Sequence, residues 1–192
     1  MWRILMVLPL ALVFRCASIP APTLQPFEDG HDWLVTKPLV YEIGATGEKI
    51  IVPAGFVTDL ASVPRQFCHL LSNADTYTRA AIVHDFLYWD QTCSRNEADK
   101  TLLAGMIESN VARWKRAAVY RAVEIGGGGA WNGNGSDRRN GLIRVLPRGH
   151  RFVPSGQTWF QYRRQLAAAG VAEEPYRRPT RAACLAYRTI TP

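Results

Sequence analysis

Lysine is scarce in this chain of 192 residues. Four of its 23 basic side chains are lysine and the rest are arginine, against 16 Asp and Glu, for a formal charge of +7. The positive charge is therefore a set of planar forks, which suit phosphate and carboxylate. Nucleic acid, anionic lipid or an acidic wall polymer fit such a surface, although genome composition is the plainer account of the bias. No motif for specific nucleic-acid reading is present. Long apolar runs are also missing. The longest, Ile4–Phe14, covers 11 residues, against about 20 for a bilayer span, which excludes a polytopic membrane protein. That run has the length of a signal-peptide core, with Arg3 before it and the small residues Ala17 and Ser18 after it. Residues 1–18 are expected to be a signal peptide, and the protein to be exported to the periplasm or envelope, or secreted. Phe14 and Arg15 speak against a lipoprotein site at Cys16. Cysteine is sparse too: Cys16, Cys68, Cys93 and Cys184 lack the spacing of a zinc ribbon or a redox pair. Cys68 and Cys93 flank one predicted helix and are the expected disulfide if the chain is exported; unpaired thiols are the alternative. There is no HExxH zinc motif, no P-loop and no internal repeat.

What is present suits one folded domain with a core. Apolar residues make up 47% and charged residues 20%, which excludes a disordered or collagen-like chain. Residues 19–38 carry Pro20, Pro22, Pro26 and Pro38 and read as a mostly extended approach, with Trp33–Thr36 as a strand-like run. Leu39–Ile43 and Lys49–Pro53, joined by the turn Ala45–Glu48, read as a β-hairpin. Ala54–Arg65 is a loop shaped by Gly and Pro. Apolar positions at helical spacing predict a helix over 74–89. Ser94-Arg95-Asn96-Glu97 is a capping box that starts a second. A third, Trp114–Ile125, is expected to stop at Gly126–Gly129, leaving 126–141 as a flexible loop. An amphipathic helix is expected over 157–169, stopped by Gly170. The tail from Glu173 is basic and contains proline.

The chemistry concentrates between Tyr77 and Met106. His84 and Tyr88 are four apart and share a helix face. Asp85 projects about 100° away from His84. On the second helix, Leu102, Leu103 and Met106 follow Asp99 at i+3, i+4 and i+7, which puts Asp99 on the apolar stripe. A buried carboxylate needs partners, and an antiparallel helix pair brings His84 and Tyr88 to it. A carboxylate that orients an imidazole makes a general base. Asp85 is then free for another task, such as holding a metal.

His84-Asp85-Phe86-Leu87-Tyr88, with Asp99 on the next helix, resembles the phospholipase A2 superfamily. The resemblance implies that His84 activates a water, that Asp99 orients His84, and that Tyr88 bonds Asp99. It also implies calcium at Asp85, shared with carbonyls of an upstream loop. That family's glycine-rich calcium loop and its surrounding cysteines are absent in their usual form. A second resemblance is wider: Gly55-Phe56-Val57-Thr58-Asp59-Leu60-Ala61-Ser62-Val63-Pro64, the His84–Tyr88 motif, Arg95, Ala98-Asp99 and Gly129-Ala130-Trp131 look like a phage and bacterial family of unknown function. It makes the Gly55–Pro64 loop the stand-in for the calcium loop. Gly55 and Asp59 then join Asp85 as expected metal ligands, with Thr58 and Ser62 as further oxygen donors.

These readings give an α+β protein: an N-terminal β-hairpin, a two- to three-helix core, and an irregular basic C-terminal part. Residues 19–131 form the domain carrying the motif, and 132–192 a glycine-rich loop and basic extension. The expected function is a calcium-dependent hydrolase of phospholipase A2 type, associated with a phage or with secretion. A non-enzymatic assembly or envelope-binding protein is the alternative. A zinc peptidase built on His84, Asp85 and Asp59 is a second. Arg163, Arg164, Arg177 and Arg178, among interfacial aromatics, are expected to dock on a phospholipid or envelope surface.

Overall fold

The structure, a computed structural model, describes residues 21–60 and 74–192. The signal-peptide reading of 1–18, and Cys16, Ser62 and Cys68, lie outside the described residues. The architecture is α+β: antiparallel strands first, then helices.

The strand-like run at Trp33 forms as expected, and a second strand in the proline-rich approach pairs with it. Strands β1 (Leu24–Pro26) and β2 (Trp33–Val35) pair antiparallel, with Gln25 opposite Leu34. Gly30, at φ +64°, lets the chain reverse between them, and Phe27 N donates to Asp32 O. Strand β5 (Val57–Thr58) pairs with the other edge of β2. A separate hairpin joins β3 (Leu39–Glu42) to β4 (Lys49–Val52), in register from Leu39 opposite Val52 to Glu42 opposite Lys49. Leu39 and Tyr41 face inward while Val40 and Glu42 face out, the alternation of a half-buried strand. This is the hairpin expected from the sequence.

Helix α1 (Ala74–Asp90) and helix α2 (Arg95–Glu108) fold back on one another through a short link. The capping box forms as expected: Ser94 Oγ accepts from Glu97 N and Glu97 Oε2 accepts from Ser94 N. Gly105 makes the contact close, since a Cβ there would lie 2.5 Å from the Ala80 methyl. Helix α3 corrects the sequence reading. It runs from Arg113 to Arg139, 27 residues, straight through Gly126–Gly129. A glycine stops a helix by taking a left-handed conformation, and none of the α3 glycines does so; the first one beyond the helix that does is Gly141, at φ +74°. Tertiary bonds hold the helix where local propensity is poor: Arg95 donates to Val123 O and Glu124 O, Gln91 to Trp131 O, and Arg138 to Trp89 O and Asp90 O. The 126–141 stretch is therefore helix up to Arg139, and the expected boundary after 131 falls within it.

Helix α4 (Trp159–Ala168) is capped by Thr158 and Gln161, and Gly170 follows it at φ +68°. The short helix α5 (Arg181–Leu185) carries Cys184, which is bonded to Cys93 across 91 residues of sequence. This replaces the expected Cys68–Cys93 pair; spacing alone does not fix a connectivity. Arg181 pairs with both oxygens of Glu97 at 2.7 Å, and Arg178 with Asp90 at 2.9 Å, bringing the tail to the α1–α2 link. Three apolar clusters share the interior. One lies between β3–β4 and α1, one among α1, α2 and α3, and one between the three-stranded sheet and α4. No helix among the described residues is long and apolar enough to cross a membrane.

Candidate functional site

The α1–α2 pair brings His84, Tyr88 and Asp99 together as the spacing predicts. His84 Nε2 lies 3.0 Å from Asp99 Oδ1, and the Tyr88 hydroxyl donates to the same oxygen at 2.6 Å. A carboxylate only accepts, so Nε2 carries the proton and Nδ1 keeps the lone pair in the neutral ring. Arg95 Nη1 sits 3.6 Å from Asp99 Oδ2. The Tyr88 ring packs on the His84 ring at 4.2 Å and meets Trp131 edge-on at 5.2 Å. Gly127 of α3 makes room for this, since a Cβ there would lie 2.3 Å from the Tyr88 hydroxyl.

His84 Nδ1 is buried and has no hydrogen-bond partner among the described residues. Asp85 Oδ1 lies 3.8 Å from it. Burial works against protonating His84, but Asp85 and Asp99 outweigh it and raise its affinity for a proton above the usual imidazole value. Asp85 itself is pushed up to about 6, by burial first and then by the neighbouring Asp59, against His84 and Arg144. The other oxygen of Asp85 accepts from Thr58 Oγ1 at 2.5 Å. Thr58 Oγ1 in turn accepts from Leu60 N, which holds Leu60 at φ +59°.

The residues expected to hold calcium divide. Asp59 approaches Asp85, but its Oδ2 lies 3.8 Å from Arg144 Nη2. Gly55 is occupied in the backbone: its carbonyl accepts from Leu146 N at 2.8 Å and its amide donates to Val35 O at 2.8 Å. A Cβ at Gly55 would meet Leu146 O at 2.5 Å, so the glycine answers to packing. Among the described residues, Asp59 and Asp85 are thus brought together, the Gly55 backbone is engaged elsewhere, and a guanidinium faces Asp59. Among the described residues, the acid, thiol and imidazole atoms close enough to share an ion are those of Cys93, Glu97 and Cys184, and there the sulfurs are bonded to each other. Zinc at His84, Asp85 and Asp59 finds no such grouping.

The expected docking arginines divide as well. Arg163 is drawn inward: it bonds Asp137 at 2.6 Å, donates to Ile143 O, and stacks on Trp89 and Trp159. Burial lowers its proton affinity below the usual guanidinium value. Arg178 is spent on Asp90, although half of its side chain remains exposed. Arg164, lying over the exposed Phe160 ring, and Arg177 stay at the surface.

Arg144 is the site residue that sequence reasoning missed. It donates to Val57 O across 87 residues of sequence, and no local spacing signals that approach. Among known families, a domain described as a protein of unknown function (DUF1353) covers residues 33–123. The match takes in Asp59, His84, Asp85, Tyr88 and Asp99 and ends before Arg144. No curated protein and no solved structure matches the chain.

Proposed function

We propose that this chain is a hydrolase of phospholipase A2 type, with His84 as general base. One observation carries the reading. Asp99 binds Nε2 of His84, which leaves the basic Nδ1 buried and without a hydrogen-bond partner among the described residues. A nitrogen in that state is placed to take a proton from a water held beside it. Asp99 and Tyr88 fix the tautomer and the ring, and Asp85, facing Nδ1, steadies the imidazolium formed when the proton arrives. The substrate class is the acyl ester of a phospholipid at an envelope surface, and the disulfide suits an oxidising compartment outside the cytoplasm.

The test is acyl release from mixed phospholipid vesicles. His84→Gln is expected to lose about 10²–10⁴-fold in rate and to keep its cooperative unfolding, and Asp99→Asn to fall with it. Turnover retained by both variants would sink the reading. A second reading draws on the closure of the cluster: His84 is 4% exposed, Asp85 5% and Asp99 1%. Here the polar groups tie α1 to α2 in a non-enzymatic assembly or envelope-binding protein from a phage. A folded wild type that releases no acyl chain, with both variants markedly less stable, favours it.

A further inference from the structure

The carboxylates beside His84 are gathered around a guanidinium. Arg144 Nε donates to Val57 O at 2.9 Å, Nη1 donates to Asn134 Oδ1 at 3.1 Å, and Nη2 faces Asp59 Oδ2 at 3.8 Å. Its charge centre lies 5.9 Å over the Phe56 ring, and its side chain is 13% exposed. The backbone is fastened too. Arg144 O accepts from Val57 N at 2.9 Å, and Arg144 N donates to Glu173 Oε1 at 2.8 Å. Strand β5, helix α3 and the segment around Glu173 therefore fix one cation in one place, facing Asp59.

We propose that Arg144 is the resident cation of this site, standing against Asp59, beside Asp85, in the electrostatic place that the phospholipase A2 resemblance gives to calcium. A divalent ion entering between those carboxylates would meet a fixed positive charge at close range, where burial weakens screening. The guanidinium is always charged and needs no ion from solution. It also comes from outside residues 33–123, whereas the carboxylates and His84 come from within them. The catalytic side rests on the hydrolase reading: Arg144 acts through Asp59 and Asp85 as a positioning residue, and the site works without added metal. The assignment of the cation itself does not depend on turnover.

Three proteins test it: wild type, Arg144→Gln and Arg144→Lys, each melted and titrated calorimetrically with calcium or chelator. Calcium is used at about 1–10 mM, a range that fills weak sites. Wild type is expected to give no binding heat and no change in Tm. Arg144→Gln is expected to melt lower in chelator, because the half-buried Asp59 loses the guanidinium that faces it, and to regain about 3–5 °C in calcium. Arg144→Lys keeps the charge and is expected to ignore calcium; rescue by calcium of the Gln variant and not of the Lys variant is what a merely structural role would not predict. Calcium binding by the wild type, or a folded Arg144→Gln protein that calcium leaves unmoved, would overturn the proposal. If Arg144→Gln does not fold, the other two decide: indifference of both supports the assignment and binding by the wild type ends it. None of these readouts uses hydrolysis, so failure of the hydrolase reading leaves them intact. His84-dependent acyl release that required calcium would remove Arg144 alone.

Discussion

Asp99 shows how one carboxylate can be shared. Its Oδ1 serves His84 and Tyr88, and its Oδ2 faces Arg95. This trio was legible in the sequence because each step is local. Four residues of helix place His84 below Tyr88, and the apolar stripe of α2 turns Asp99 inward. Arg144 was not legible, because its partners Val57, Asp59 and Asn134 reach it through the fold. Asp32, in the same neighbourhood, makes a testable case. Burial lifts its carboxyl from 3.8 to about 6, with Arg144 opposing and Asp59 and Asp29 adding. The native state thus binds that proton more tightly than the unfolded chain. The stability it contributes is full below about pH 4 and is lost as pH rises through about 6. Asp32→Asn is expected to lack this loss. Urea midpoints of the variant should therefore gain on those of the wild type from pH 4 to pH 7, and a gap that moves the other way would contradict the burial of this carboxyl.

Helix α3 is the element on which sequence reasoning failed, and the failure is instructive. Four consecutive glycines normally mark a stop, since each costs about 1 kcal/mol against alanine in a helix interior. Here bonds from Arg95 and Gln91 hold the backbone from outside, Arg138 of the helix itself reaches to Trp89 O, and the chain pays that cost to bring α3 against Tyr88. The glycines are not equivalent. At Gly127 a methyl would strike the Tyr88 hydroxyl, while at Gly129 it would meet nothing within 4 Å. Gly129→Ala is expected to stabilise by about 0.5–1 kcal/mol. Gly127→Ala is expected to destabilise, and to push Tyr88 off Asp99. Denaturant unfolding of the pair checks this, and equal effects from both would show that helix propensity alone governs the segment. By contrast α1, α2, α4 and the β3–β4 hairpin were legible, because periodicity, the Ser94–Glu97 capping box and strand alternation agree with the tertiary contacts that each element makes.

The molecule as a whole is fastened at its end. Cys184 on α5 reaches back to Cys93 at the α1–α2 link, and Arg178 and Arg181 pair with Asp90 and Glu97 around that bond. Non-reduced peptide mapping is expected to find Cys93 joined to Cys184. A loop of 91 residues corresponds to about 4–5 kcal/mol in the chain-entropy account. Reduction is thus expected to lower Tm by about 8–20 °C; thiols free in oxidised protein, or a Tm indifferent to reductant, would contradict the bond. The same bond makes a covalent ring of residues 93–184, with α2, α3 and α4 inside it. During synthesis the ring cannot close until Cys184 has left the ribosome, when every residue of the His84–Asp99 cluster has long since emerged. The cluster can therefore assemble before its fastening, which has to wait for Cys184. Once closed, the ring changes what a protease can do: after a single cut between the two cysteines the two pieces remain one covalent molecule, which a reductant then parts into two.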